Sequence, residues 1–164
     1  MAEGVKLGKV EKLAISSHKG TPKIPCDRII LKEGFGVETD AHGGDWHRQV
    51  SLLDTKSIEK MRQKGLDVDF GSFAENIATS GICLYELPIG TLFLTSEGGI
   101  LEVTQIGKEC HSPCAVYYRA GDCVMPKEGI FARVLAGGKV NSGDFILALP
   151  NYNPVSPSIE DKDR

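Results

Sequence analysis

The sequence predicts a mostly β domain, closed as a barrel and carrying a few short peripheral helices, on three observations. Its apolar residues fall into short, strand-length runs, of which residues 101–106 alternate most regularly. Turn residues punctuate those runs throughout, drawn from 19 glycines and eight prolines. Only one stretch has the length and periodicity of a conventional helix. Many short strands bounded by tight turns favour a barrel over an open sandwich.

In chain order, strands are expected at residues 10–16, 28–31, 50–53, 90–95, 100–106 and 144–149. The helix begins at Asp54, a suitable N-cap, and runs through residues 55–64 to a stop at Gly65. Ile58 and Met61 lie three apart on one face, with Glu59, Lys60, Gln63 and Lys64 supplying polar surface, so Met61 reads as packing. A short helix is expected from Ser112 as N-cap and Pro113 as first helical residue towards Gly121. Another, over residues 130–135, ends at Gly137-Gly138 and carries Arg133. No linker or repeat appears. Residues 5–150 read as one domain, and residues 151–164, with two prolines and a charged end, as an extended, mobile tail.

At 164 residues and 41% hydrophobic content the chain can bury a real core. A net charge of −3 and the lack of a basic, aromatic-interleaved stripe argue against nucleic acid as a partner. No run is long enough for a membrane helix. Five cysteines at irregular spacing, with no apolar leader, suit a reduced, cytoplasmic setting better than a disulfide-stapled one.

Three segments carry chemistry. Lys108-Glu109-Cys110-His111-Ser112-Pro113-Cys114 places two thiols and an imidazole just beyond a strand. In the first turn of a helix, Cys114 would feel unpaired amides and the positive end of the dipole, which favour thiolate, a nucleophile and a soft-metal ligand. Burial as a small apolar residue, and a zinc site with Cys110, His111 and Cys123, are the alternatives. In the second segment, residues 39–49, Asp40, His42, Asp45 and His47 read either as a hard-metal cluster or as turn polarity. Arg48 offers a planar fork to phosphate or carboxylate, or an ordinary surface ion pair. In the third, residues 71–79, Asn76 suits the edge of a heterocycle and Glu75 a basic partner, and either residue equally caps a turn.

Taken together the chain resembles the MOSC family, named for the C-terminal domain of molybdenum-cofactor sulfurases, and in particular its short stand-alone bacterial members. The resemblance spans residues 5–149 and rests on Gly36-Val37-Glu38-Thr39-Asp40-Ala41-His42, Arg48-Gln49-Val50-Ser51-Leu52-Leu53, Phe73-Ala74-Glu75-Asn76-Ile77, the run from Leu101 to His111 followed by Pro113-Cys114, Gly129-Ile130-Phe131-Ala132-Arg133-Val134-Leu135, and Gly143-Asp144.

The resemblance implies a β-barrel that handles the molybdenum cofactor (molybdopterin) or sulfur. It implies that Cys114 is the catalytic thiol and the metal ligand. Arg48, Asn76 and Arg133 match positions suited to surround the anionic pterin, and Asp40 and His42 match the loop that organises the site. The implied activity is reduction of N-hydroxylated compounds or related sulfur and molybdenum chemistry. The chain reads as a near-minimal domain without a ferredoxin-like cysteine module, so a reductase would need a redox donor protein. The alternative is a non-catalytic molybdenum cofactor or sulfur carrier delivering to a molybdoenzyme acceptor.

Overall fold

The computed structural model describes residues 4–107 and 125–150. The expected helix at Cys114 and the tail at 151–164 lie outside them. The strands are β1 (Lys6–Ile15), β2 (Ile24–Cys26), β3 (Arg28–Lys32), β4 (Gly36–Val37), β5 (Val50–Asp54), β6 (Ile77–Ser80), β7 (Leu92–Thr95), β8 (Ile100–Ile106), β9 (Ile130–Ala136), β10 (Gly138–Asn141) and β11 (Phe145–Leu149). Helix α1 (Thr55–Gln63) follows β5, and a short helix α2 (Met125–Glu128) precedes β9.

Seven strands close a barrel in the order β1-β6-β5-β9-β8-β7-β11, and β11 pairs back onto β1. Closure leaves the barrel no open edge. Among the described strands only β5 and β6 run parallel, Leu52 opposite Ile77, which is why α1 lies between them as a crossover. β1 is long enough to pair with β11 over its first half and with β2 over its last three residues. A second sheet, β10-β3-β4, packs beside the barrel.

Inward side chains such as Val10, Leu13, Leu52, Ile77, Phe93, Leu101, Ile130 and Ile146 fill the interior. Outside the wall, Leu53, Ala78 and Phe131 face a smaller cluster closed by Ile58 and Met61 of α1. Met61 is fully buried, as its helical spacing requires. The Asp54 carboxylate caps α1 by accepting from the Lys56 amide at 2.9 Å.

Residues 130–136 are a strand where the sequence suggested a helix. β9 sits between β8 and β5 in the wall, and its register sets Ala132 opposite both Val103 and Val50. Ile130 and Ala132 point inwards and Phe131 outwards under α1, so both faces are apolar and the alternation is hidden. Of the glycine pair that looked like a helix stop, Gly137 links β9 to β10 and Gly138 opens β10, opposite Leu31.

Candidate anion-binding site

The loop between β4 and β5 is organised around a buried charge pair. Asp40 and Lys23 both have fully buried side chains, and Lys23 Nζ donates to the two Asp40 oxygens at 2.9 and 3.1 Å. The Ser16 and His42 amides donate to the same carboxylate at 2.9 and 3.1 Å, and Lys23 Nζ also donates to Ser16 Oγ at 3.1 Å. Burial pushes the Asp40 carboxyl up. The Lys23 hydrogen bond, the Ser16 amide, the Lys23 charge and the His42 amide together outweigh that and hold it below the ordinary carboxylate range.

His42 joins this network through Nδ1, 2.9 Å from Lys23 Nζ, so with a charged lysine Nδ1 is the acceptor. Its ring stacks against Trp46 at 6.5 Å with planes only 8° apart, and the Trp46 indole N–H returns a 2.8 Å bond to the His42 carbonyl. Gly43 permits this packing, because a Cβ there would stand 2.3 Å from the Phe35 ring.

The buried pair thus fixes His42, and His42 fixes the chain's single tryptophan. Trp46 in turn carries cations: the Arg48 guanidinium carbon lies 4.7 Å from the indole centroid and Lys19 Nζ 5.1 Å from it. Arg48 also lies 5.6 Å from the Phe131 ring. Arg48 Nε is buried and, among the described residues, has no hydrogen-bond partner. A guanidinium held in place by two rings, with one donor unspent among the described residues, makes Arg48 a candidate contact for an anion.

A cleft of about 480 Å³ opens beside this platform, lined by Glu33, Asp45, Trp46, His47, Gln49 and Arg133, among others. Gln49 ties its wall together, donating to the Gly44 carbonyl and accepting from the Val134 amide, both at 2.9 Å. Arg133 projects from β9 and is about half exposed, with Nε 2.9 Å from Glu102. His47 Nε2 lies 2.7 Å from Gln105 Oε1, and Thr104 Oγ1 donates to the His47 carbonyl, anchoring the loop to the end of β8.

Asp40, His42 and Arg48 lie on the loop between β4 and β5, and Arg133 lines the cleft beside Trp46 and His47 of the same loop. Asn76 takes a different part. Its side chain is buried, accepts from the Ser51 amide at 3.0 Å and donates to the Ala14 carbonyl at 3.1 Å, so it braces β5 and β1 across the start of β6 instead of facing a ligand. Glu75 accepts from the Gly71 and Phe73 amides at 2.5 and 3.1 Å, the turn-capping role. Burial raises its carboxyl above the usual range, against the opposing pull of those amides.

Asp40, His42, Asp45 and His47 do not form a metal cluster. Asp40 is committed to Lys23 and His47 to Gln105, and among the described residues no three His, Cys, Asp or Glu side chains converge. Cys110, His111, Cys114 and Cys123 lie outside the described residues. Burial raises the thiols of Cys26 and Cys83, so neither is poised as a thiolate.

Lys23 escaped the sequence reading because nothing in Pro22-Lys23-Ile24 distinguishes a buried lysine from a surface one. Trp46 had a signal, as the lone tryptophan two residues before an arginine in a polar loop.

The family model of the MOSC domain matches residues 38–147, which include this loop, β5 and β9. The chain belongs to the MOSC domain family. Solved structures share the MOSC fold at low identity. The YuaD protein from Bacillus subtilis superposes with a TM-score of 0.74 at 20% identity, over 88% of this chain and 97% of that one. YiiM from Geobacillus stearothermophilus gives 0.62 at 16%, covering 85% and 74%, and YiiM from Escherichia coli gives 0.60 at 18%, covering 88% and 71%. No curated protein matches the chain. Among the described residues, no helix is long and apolar enough to cross a membrane.

Proposed function

We propose that this MOSC domain binds molybdenum cofactor, with the Cys114 thiolate as the protein's ligand to the metal, and acts in the reduction of N-hydroxylated compounds or related sulfur and molybdenum chemistry. The observation that carries the reading is Arg48, whose buried Nε lacks a partner among the described residues while its guanidinium lies over the Trp46 and Phe131 rings. The residues present fit an anionic pterin: a fixed arginine fork, a second arginine at the neighbouring cleft, and an aromatic face between them.

Arg48 would hold the anionic end of the cofactor, and Arg133 would turn from Glu102 to assist it. The Lys23-Asp40-His42 network would keep Trp46, and so Arg48, in one orientation without touching the ligand. Cys114 follows Pro113 in the family motif, and its expected place in a helical first turn favours the thiolate a metal needs. When bound, the molybdenum centre supplies oxygen-atom exchange with the N-hydroxylated compound, and a redox donor protein supplies the two electrons.

The test is protein purified anaerobically from a cofactor-producing host, assayed for released pterin and for turnover of an N-hydroxylated compound with a reduced dye. Retained pterin with turnover, and at least tenfold less pterin in folded Arg48→Ala, is the expected result. Pterin without turnover identifies a carrier that delivers to a molybdoenzyme acceptor. Protein without pterin, from a host that loads other molybdoenzymes, overturns the reading.

A further inference from the structure

The cleft beside Trp46 carries a histidine whose ring is set by a chain of hydrogen bonds. Gln105 Nε2 donates to the Gly107 carbonyl at 2.8 Å, which turns the amide so that its Oε1 faces His47 Nε2 at 2.7 Å. An amide oxygen only accepts, so His47 Nε2 carries a proton and donates it to this bond. Nδ1 is then the atom at which the ring gains and loses its second proton, and among the described residues no hydrogen bond occupies it.

The neutral ring and the imidazolium both keep the Nε2–H donor, so the bond to Gln105 survives the exchange and the ring stays in place. The Trp46 and His47 rings meet at 69° with centroids 6.1 Å apart, which also limits the swing of the imidazole. Anchoring the loop does not call for this ring, because Thr104 Oγ1 already donates to the His47 main-chain carbonyl. Of the other charged groups nearby, Glu33, Asp45 and Arg133 line the cleft, Glu102 pairs with Arg133, and Arg48 and Lys19 lie over Trp46. Histidine is the side-chain type among them that ordinarily exchanges a proton between about pH 5 and 8.

We propose that His47 is a catalytic residue, the general acid of this cleft; the inference rests on the reductase reading above. Converting R–NH–OH to R–NH2 and water breaks the N–O bond and consumes two electrons, from the redox donor protein, and two protons. His47 Nδ1–H gives one proton to the departing oxygen, which leaves as water. Solvent gives the other to the nitrogen and then reprotonates Nδ1, which the exposed ring allows.

The experiment compares the parent, His47→Gln and His47→Ala, purified anaerobically from a cofactor-producing host, for released pterin and for reduction of phenylhydroxylamine by a reduced dye across about pH 5.5–9. His47→Gln keeps a donor for Gln105 and removes Nδ1. Its kcat is expected to fall at least about 100-fold, with pterin within about twofold of the parent. The parent should lose activity as pH rises through the histidine range, the variant should lack that limb, and added imidazole should raise the activity of His47→Ala at least about tenfold. Against an active parent, a His47→Gln kcat within about threefold, or pterin lost in step with activity, overturns this inference alone. A parent that holds pterin without turnover overturns the reductase reading and the inference with it. Nitrogen-15 NMR gives a readout independent of turnover: the neutral His47 ring should carry its proton on Nε2, and a proton on Nδ1 overturns the assignment.

Discussion

Replacing Lys23 with methionine removes the cation from the buried pair and leaves the Asp40 carboxylate, among the described residues, with the Ser16 and His42 amides. Both side chains are fully buried, so solvent cannot replace the lost charge. Breaking a buried pair from one side costs about 3–5 kcal/mol, which for a chain of this length lowers Tm by roughly 6–20 °C.

The assay is urea and thermal unfolding followed by circular dichroism and by fluorescence of Trp46, the only tryptophan, which sits on the affected network. Adding Asp40→Asn removes the stranded charge while keeping an acceptor for the Ser16 amide, and should recover at least about half of the loss.

The pH dependence follows from the direction of the Asp40 shift. A carboxyl held below its ordinary value contributes stability above that value and loses it as pH falls through the folded one. Without Lys23, burial dominates, so the variant's deficit is largest near neutrality and narrows towards about pH 4 as Asp40 protonates. A loss under about 1 kcal/mol, or one constant across that range, refutes the argument that the pair organises the loop.

Gly71 has φ +90°, and a Cβ there would lie 2.1 Å from the Lys23 carbonyl oxygen, so Gly71→Ala should cost at least about 3 kcal/mol in urea unfolding. Gly143→Ala, at φ +92° in open space, should cost only about 1 kcal/mol. Glu75→Ala strands the Gly71 and Phe73 amides, and a drop of about 2–4 kcal/mol is expected by the same measurement. Arg48→Lys keeps the charge and discards the stacked fork; pterin retention should fall nearly as far as in Arg48→Ala, with steeper salt dependence on titration with sodium chloride.

The barrel was legible wherever one strand face is polar. β3 alternates cleanly between buried and exposed residues, and a strand over 28–31 was evident in it. Where both faces are covered the pattern fails. β5 is buried throughout and was found by its flanking signals, whereas β9, with Phe131 under α1 and Ala132 inside, passed for a helix. β4 and β10 are too short to carry a period, and their pairing to β3 comes from tertiary register.

At the site, residue type pointed to the right loop but not to which atoms are spent. Asn76 and Glu75 have the donors and acceptors of ligand-binding residues, yet both are consumed by backbone amides and carbonyls, a fate set by burial. Lys23 lies 17 residues before its partner Asp40, and a separation fixed only by β2, β3 and β4 leaves no local mark. Thr39 and Ala74, each at positive φ, immediately precede the buried acids Asp40 and Glu75, so backbone strain gathers where the site is anchored.

The most direct test of the central claim is the molybdenum and pterin content of protein from a cofactor-producing host, purified anaerobically beside Cys114→Ser. The account predicts near-stoichiometric molybdenum and pterin in the parent, with the metal lost from the folded variant; equal molybdenum in both, or none in a fully supplied parent, would contradict it.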